Sequence, residues 1–235
     1  LVLPAAALLA VWLVRSATPS SPHAAPAPRY AATAAGETRE LRTADGSRLH
    51  LSAQTRVAYA LGGTQRTVEL QQGEVFFEVA RDAARPFVVT AGTTTVTVLG
   101  TVFDVNRVGE RVQIQVYEGR VRVSDGTQRE LHAGDSVWSG HGSLDPIESF
   151  DRHAEQPDWM RGWLQVREMP LGDVLAQLQR YAPHPIVLRD AGLDTLRVSG
   201  QLSLERPRES MALLAELQGL SFTEQDGRWV LGRQR

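Results

Sequence analysis

The chain has 235 residues, with 25 basic and 27 acidic side chains and a formal net charge of −2. It contains no cysteine and no lysine, so each of the 25 basic residues is an arginine. These counts exclude disulfides, cysteine-ligated metals, Schiff-base lysine chemistry and lysine-dependent phosphate loops, and the near-neutral charge gives no reason to expect a nucleic-acid partner.

Residues 1–14 form a run that is apolar or small apart from Pro4, and Arg15 ends it. The run is shorter than the about 20 residues that a membrane-spanning helix needs. We predict that it is the C-terminal part of a transmembrane segment whose first half precedes Leu1. The core of a signal peptide and a buried soluble helix are the alternatives.

Residues 15–35 are rich in proline, alanine and serine and show no periodicity, which predicts an extended linker. A helix followed by a solvated linker has only lipid to pack against, and this favours the membrane interpretation.

Residues 36–148 alternate apolar and polar side chains between glycine-containing turns. Val112, Ile114 and Val116, for example, fall on one face of a predicted strand, and a turn at Gly119 follows. Strands about every 10 residues predict an all-β domain, and periodicity alone leaves an antiparallel roll, a sandwich and a solenoid open. Residues 149–162 are predicted to be a second linker.

Residues 163–235 predict a small α/β domain with the element order β-α-β-β-α-β-β. One helix is expected from Pro170 to about Ala182. A second is expected over residues 207–217, with Met211, Leu214 and Leu217 facing inward. At about 70 residues, the domain is close to the lower limit for independent folding.

The polar residues give little support for conventional catalysis or for a bound metal or cofactor. His141 and His153 flank a loop with three carboxylates, but a solvated linker is favoured over a metal site there. Those carboxylates are Asp145, Glu148 and Asp151. Glu74 and Glu78 share one face of a predicted strand, as a catalytic pair would, but a polar strand edge is the favoured interpretation.

Gly100 and Thr101 interrupt an otherwise apolar strand pattern, VTVLGTVFDV, where glycine often marks a bulge or bend. A threonine hydroxyl that follows a bent glycine can attack the glycine carbonyl and convert the amide to an ester, which water then cleaves. From the residues alone, a simple bulge is the favoured interpretation. The candidate bases are Asp104, Glu118 and His132.

Five segments carry a recognisable pattern over about residues 36–137: GETRELRTADGSRLHL, RTVELQQGEVFFEVARDAARPFVVTA, VTVLGTVFDV, VYEGRVRV and LHAGDSV. The positions that carry it are Asp45, Gly46, Ser47, Gly73, Glu74, Phe77, Pro86, Phe87, Gly100, Thr101, Phe103, Glu118 and Gly119. In order and spacing they resemble the FecR family of transmembrane anti-sigma regulators. Trp159-x-x-Gly162-x-Leu164, followed by MPLGDVLAQLQRY, is similar to the family's C-terminal part, which resembles the secretin/TonB N-terminal (STN) module.

This resemblance implies a mainly β protein, with an all-β FecR-type domain over residues 36–148 and an STN-like domain over residues 163–235. It also implies an inner-membrane, single-pass protein whose globular part is periplasmic. Such proteins bind an extracytoplasmic-function (ECF) sigma factor through a cytoplasmic domain, which would precede Leu1. In the periplasm they bind the signalling domain of a TonB-dependent outer-membrane transducer, often one that imports a ferric siderophore.

The resemblance further implies self-cleavage between Gly100 and Thr101 by an N-to-O acyl shift, with the two halves remaining associated. Beyond this single-turnover reaction, we predict no enzymatic activity. The alternatives are an envelope-anchored β-rich scaffold or cell-wall-binding protein without a sigma factor, and a β-roll enzyme such as a glycan hydrolase.

Overall fold

The computed structural model describes residues 27–151 and 153–234, and within them the protein is mainly β. Residues 29–149 form a curled sheet of 14 strands, which we call the β roll. Its strands are β1 Arg29–Ala32, β2 Arg39–Arg42, β3 Arg48–Leu51, β4 Arg56–Ala60, β5 Arg66–Glu78, β6 Phe87–Ala91, β7 Thr94–Val98, β8 Val102–Val108, β9 Arg111–Glu118, β10 Arg120–Asp125, β11 Thr127–His132, β12 Asp135–Gly140, β13 Ser143–Leu144 and β14 Glu148–Ser149. The prediction of a mainly β protein with an all-β domain is confirmed.

The main path of the sheet runs β11-β10-β7-β6-β5-β8-β9-β12-β13, and nearly all neighbours are antiparallel. The exception is the parallel pair of β5 and β6. Because β11 also lies against β9 and β12, the sheet curls back on itself. Among the three predicted architectures, the structure is therefore the roll.

Strand β5 belongs to both halves of the roll. Its first half pairs with β4 and β6, and its second half pairs with β3 and β8. The change of partners occurs at Gly73, which has φ +91°, and a Cβ built there would lie 2.6 Å from the Cα of Thr55. Only glycine fits this bend without displacing the neighbouring backbone.

The alternating apolar side chains predicted for the middle of the chain fill the core of the roll. Phe77 stacks on Phe103 with ring centroids 4.9 Å apart, and Phe87 meets Phe77 edge-on. Val112, Ile114 and Val116 are buried on the same face of β9, as the period-two pattern predicts.

Strand β1 lies within the stretch that was predicted to be linker. Arg29–Ala32 pairs with β4, and Ala31 packs against the core while Tyr30 faces solvent. Four residues are too few to show a clear alternation, so the pattern of the sequence did not reveal this strand. The predicted membrane segment, residues 1–14, lies outside the described residues. Within the described residues, no helix is long and apolar enough to cross a membrane.

The second region, residues 163–234, is the C-terminal module. Its elements are β15 Trp163–Pro170, α1 Leu171–Gln179, β16 Ile186–Leu188, β17 Arg197–Ser203, α2 Pro207–Leu217, β18 Leu220–Gln225 and β19 Arg228–Arg233. They follow the predicted order and form a two-stranded sheet, β15-β17, and a three-stranded sheet, β16-β19-β18.

Helix α2 has the predicted bounds, but one of its predicted core residues is misplaced. Met211 and Leu214 are buried, whereas the side chain of Leu217 is 63% exposed. Leu217 is the last residue of the helix, and the chain turns directly afterwards at Gly219, with φ +63°. The end of the helix therefore lies beyond the edge of the core, so the apolar spacing did not translate into burial there.

The apolar core of the C-terminal module includes side chains from the β roll. Phe76 of β5 is buried within it, and Val102 and Tyr117 pack against it. Trp159, in the short 3-10 helix Asp158–Arg161 that leads into β15, is buried in the same cluster. The two regions thus share one hydrophobic interface.

Candidate functional site at Gly100-Thr101 and the domain interface

Gly100 and Thr101 lie in the bend that joins β7 to β8, not inside a strand as the alternating pattern suggested. The bend carries the chain from the β6-β7-β10 side of the roll to the β5-β8-β9 side. Just after it, the pairing of β8 with β9 shifts register between Val102 and Phe103. The predicted local irregularity is therefore present, at a corner of the roll.

One side of this bend is held by the backbone of residues 79–82. The Val79 amide donates to the Thr101 carbonyl at 3.0 Å, and the Asp82 amide donates to the Leu99 carbonyl at 2.7 Å. A Cβ on Gly100 would lie 2.5 Å from the Cα of Arg81. Because the obstacle is backbone, a side chain at position 100 would force the bend or the neighbouring segment to move.

The other side of the bend faces the turn at Gly119. The Thr101 side chain is buried, and its hydroxyl donates to the Arg120 carbonyl at 3.0 Å. Gly119 has φ +84°, and a Cβ there would come within 3.2 Å of Thr101 Oγ1 and 3.4 Å of the Gly100 carbonyl oxygen. The Gly100-Thr101 peptide is thus enclosed between two backbone segments, and the hydrogen bond to Arg120 fixes the orientation of the Thr101 hydroxyl.

The structure does not bring the three candidate bases to the Thr101 hydroxyl. In the described part of the chain, that hydroxyl is hydrogen-bonded only to the Arg120 carbonyl. Asp104 accepts a hydrogen bond from Trp159 Nε1 at 3.1 Å, Glu118 is exposed, and the His132 ring lies 3.4 Å from Glu130. Sequence proximity suggested these bases, whereas the observed partner is a main-chain carbonyl that residue types do not reveal.

A second polar cluster joins the β roll to the C-terminal module. Arg180, at the C-terminal end of α1, reaches Glu74 Oε2 on β5 at 3.1 Å and Asn106 Oδ1 on β8 at 2.8 Å. It also donates to the Arg107 carbonyl at 2.7 Å, and Asn106 donates to Gln177 Oε1 at 2.9 Å. These groups are buried and hydrogen-bonded to one another, as buried polar groups must be.

The carboxyl groups of Glu74 and Asp104 both lie near the Arg180 guanidinium in this interface. Burial raises the pKa of Asp104 well above its usual range, and the nearby charge of Glu74 raises it further. Burial also raises the pKa of Glu74, although the Arg180 guanidinium and a hydrogen bond from Asp104 counteract that rise. We infer that Asp104 carries the proton, which it donates to Glu74, so that the single guanidinium faces a single carboxylate.

Tyr181 adds another contact between the regions, because its hydroxyl lies 2.7 Å from Ser52 Oγ. Burial is the main cause that raises the pKa of Tyr181 to about 12. Next to this interface, a cleft of about 450 Å³ lies between the outer face of the β roll and strand β15. Trp138, Gln113 and Gln115 line its roll side, and Trp163 and Gln165 line its other side.

The two residues that the sequence suggested as a catalytic pair, and one of the suggested metal ligands, contact different partners instead of one another. Glu74 faces Arg180, whereas Glu78 is hydrogen-bonded to Arg48 and lies 3.4 Å from the His50 ring. His141 lies 3.9 Å from Glu110.

Two carboxylates of the suggested metal cluster also have partners of their own. Asp145 pairs with Arg111 at 2.7 Å, and Asp151 accepts a hydrogen bond from the His153 amide at 2.9 Å. Within the described ranges, no three acidic or histidine side chains gather in a way that could hold a metal ion.

Comparison with known proteins gives a consistent result. Residues 29–122 match the family model described as FecR protein. Two crystal structures of a candidate anti-sigma factor from Parabacteroides distasonis share the fold, with TM-scores of 0.80 and 0.79. Each is 24% identical in sequence to this chain, and each alignment covers 88% of this chain and all of the other. No curated protein sequence matches the chain.

The family match begins at Arg29, the first residue of β1, and ends within β10, so it contains Gly73, Gly100, Thr101 and Gly119. The fold likeness extends over the C-terminal module as well. Residues 29–122 therefore match a FecR domain, and the resemblance to the FecR family predicted from the sequence is confirmed.

Proposed function

We propose that this chain is the sensing part of an anti-sigma-type regulator anchored in the inner membrane. The observation that carries the proposal is the FecR domain over residues 29–122, together with a fold shared with a candidate anti-sigma factor over both regions. In this proposal, residues 1–14 belong to a membrane segment, the described regions are periplasmic, and an ECF sigma factor is held by a cytoplasmic domain that precedes Leu1.

The topology is tested with reporter fusions after Ala35. A reporter that works only in the periplasm is expected to be active there, and a cytoplasmic reporter is expected to be silent. The opposite pattern contradicts the proposed topology. The sigma factor is tested by purifying the full-length protein from membranes and identifying its partners by mass spectrometry, and recovery without an ECF sigma factor contradicts the anti-sigma role.

The proposed periplasmic partner is the signalling domain of a TonB-dependent transducer, of the kind that takes up ferric siderophores. The C-terminal module supports this because its small sheets have free edges. Among the strands of the described residues, β15 and β17 pair only with each other, and β16 and β18 pair only with β19. An unpaired edge offers backbone donors and acceptors to a partner strand. We therefore propose that the docking surface lies within residues 163–235.

This docking surface is tested by calorimetric titration of the transducer domain into two purified chains. One spans both regions, and the other ends near Glu148. We expect binding to the longer chain and none to the shorter chain. Unchanged affinity of the shorter chain would place the docking surface in the β roll instead.

We also propose that the chain cleaves itself once between Gly100 and Thr101. Thr101 Oγ1 attacks the Gly100 carbonyl carbon, the C–N bond breaks, and the hydroxyl proton passes to the nitrogen that becomes the amine of Thr101. Water then hydrolyses the ester, leaving a Gly100 carboxylate and a restored Thr101 hydroxyl. The burial and fixed orientation of that hydroxyl support this reaction.

Self-cleavage is tested on the purified chain by denaturing electrophoresis. The wild type is expected to give two fragments that co-elute before denaturation, Thr101→Ala a single intact band, and Thr101→Ser two fragments, because serine keeps the attacking oxygen. Hydroxylamine is expected to speed cleavage by intercepting the ester. If Thr101→Ala gives the same two fragments as the wild type, the reaction does not begin at this hydroxyl.

A further inference from the structure

The segment that holds one side of the Gly100-Thr101 bend is itself fixed by a buried cation. We call residues 79–86 the clamp loop. The Arg66 side chain is fully buried, and it donates to the carbonyls of Ala80 at 2.8 Å and Arg85 at 3.0 Å. Its backbone amide donates to the Pro86 carbonyl at 3.0 Å. One residue of β5 thus ties both ends of the clamp loop to the core.

Asp45 holds Arg66 in this position. Its carboxylate lies 2.9 Å from Arg66 Nη1. Burial raises the pKa of Asp45, but hydrogen bonds from Thr43, Ser47 and Arg66 outweigh it and keep the pKa below its ordinary value. Asp45 is therefore a carboxylate, and the pair is charge-balanced. Ser47 also accepts a hydrogen bond from the Ala80 amide at 3.1 Å, which adds a tie at the start of the loop.

The exposed part of the clamp loop is closed by Asp82. One carboxylate oxygen accepts from the amides of Ala84 at 3.0 Å and Arg85 at 3.2 Å, and the other accepts from Arg85 Nε at 2.8 Å. These bonds fold residues 82–85 into a tight turn. The Asp82 amide is the group that donates to the Leu99 carbonyl, so the shape of this turn sets the position of that donor.

We propose that the clamp loop positions the Gly100-Thr101 peptide for self-cleavage, with Arg66 as its buried anchor and Asp82 as the residue that fixes its shape. This inference rests on the proposed self-cleavage. Two amides of the loop bind the carbonyls on either side of the reacting carbonyl, and the Arg81 backbone lies where a side chain on Gly100 would be. None of these groups is a reactant, so Arg66 and Asp82 are positioning residues.

The expected size of the effect follows from what positioning contributes to a reaction. Intramolecular attack depends on the reacting atoms being held close and aligned, and a misplacement of about 1 Å costs roughly a hundredfold in rate. Loss of the Asp82 side chain frees two loop amides and the Arg85 side chain but leaves the core of the roll unchanged. We therefore expect cleavage to slow by roughly tenfold to a hundredfold without loss of the fold.

The test follows the appearance of fragments with time in the full 235-residue chain, synthesised cell-free in detergent. Asp82→Ala is compared with the wild type, with Asp82→Asn, and with Asp151→Ala as a matched control. Asp151 also caps a turn through its carboxylate, but it lies in the segment that joins the two regions. We expect Asp82→Ala to be slow, Asp151→Ala to match the wild type, and Asp82→Asn to recover most of the rate because it keeps an acceptor oxygen.

Two further measurements separate positioning from general destabilisation. The thermal midpoint of Asp82→Ala, measured in the Thr101→Ala background so that cleavage does not interfere, is expected to equal that of Asp151→Ala in the same background. Arg66→Lys keeps the charge, but its single ammonium cannot bind both loop carbonyls in the fork geometry of a guanidinium, so slow cleavage is expected there too.

The outcomes distinguish this inference from the reaction on which it rests. If Thr101→Ala stays intact while Asp82→Ala cleaves at the wild-type rate, the clamp loop has no positioning role and self-cleavage stands. If the wild type stays intact, or Thr101→Ala still cleaves, self-cleavage is wrong and this inference fails with it. A slow Asp82→Ala with a lowered thermal midpoint also overturns it, because instability then explains the rate.

Discussion

The β roll closes its hydrophobic core with its own strands, whereas the C-terminal module completes its core with side chains of the roll. The roll buries Phe77, Phe87 and Phe103 within one continuous cluster. The module has two small separate sheets, and its cluster includes Phe76 from β5. This difference indicates that the roll is a self-sufficient unit and that the module depends on it.

The first prediction concerns the two regions produced as separate chains, and we expect its effect to be the largest. A chain of residues 27–151 is expected to unfold cooperatively and to keep its β-type circular dichroism spectrum. A chain of residues 155–235 is expected to lack a cooperative transition, because it loses the surface that completes its core and is near the size limit for independent folding. Cooperative unfolding of the isolated module would show that it does not need the roll.

The second prediction concerns the guanidinium between the regions. Arg180→Met leaves the buried Glu74 carboxylate without its cation, and such losses cost about 3–5 kcal/mol of unfolding free energy. Denaturant unfolding measures the change. Arg206→Met is the control, because Arg206 pairs with Glu209 on the surface and exposed pairs contribute about 0–1 kcal/mol.

A double variant sharpens this second prediction. Adding Glu74→Gln to Arg180→Met removes the stranded charge, so we expect part of the lost stability to return. An equal or larger loss in the double variant would contradict the view that Glu74 is the charge that Arg180 compensates.

The third prediction concerns the proton in the interface. Because the folded-state pKa of Asp104 is raised, the folded protein holds a proton that the unfolded chain releases, and its stabilising contribution is complete below the unfolded pKa of about 4. That contribution declines as the pH rises towards the folded pKa. The pKa of Glu74 is also raised, so this group changes the stability with pH in the same direction. Stability is therefore expected to fall through these groups as the pH rises above about 4.

Asp104→Asn keeps an acceptor for Trp159 Nε1 and removes the titration. We expect its free energy of unfolding to vary less with pH than that of the wild type, when both are measured by denaturant unfolding at several pH values. Asp151 lies outside the interface, so the unfolding free energy of Asp151→Asn is expected to change with pH as that of the wild type does. If the unfolding free energy of Asp104→Asn changes with pH as steeply as that of the wild type, other groups cause the pH dependence.

The fourth prediction is the smallest and compares two leucines of α2. Leu217→Ala is expected to change the unfolding free energy by less than about 0.5 kcal/mol, because the residue is exposed. Leu214→Ala, three residues earlier on the buried face, is expected to cost about 2–5 kcal/mol. Similar losses for both would mean that the end of the helix is packed after all.

The sequence predicted best those features that depend on neighbouring residues. Alternation within β9 and the three-to-four spacing in α1 identify elements because each buried face repeats every few positions. The order of elements in the C-terminal module and the bend at Gly100 followed from the same local information. The same rule failed at Leu217, where the position of the helix end relative to the core, and not the spacing, decides exposure.

The interface could not be predicted, because its partners are far apart in the chain. Arg180 and Glu74 are separated by 106 positions, and no local pattern links them. One signal was available: β5 carries Val75, Phe76 and Phe77 in succession, and consecutive apolar residues indicate a strand covered on both faces. That signal predicts a covering element but does not identify it.

The shared strand β5 has a mechanical consequence for a chain cut between Gly100 and Thr101. The amino-terminal piece would contain β1–β7 and the other piece β8–β19, and the two would interlock through the β5-β8 and β7-β10 pairs. Phe77 and Phe103, stacked in the core, would belong to different pieces. Tension applied between the two ends of the chain would then no longer travel along covalent bonds. It would load two strand pairs in parallel, so a pull strong enough to separate the pieces would have to rupture both pairs at once.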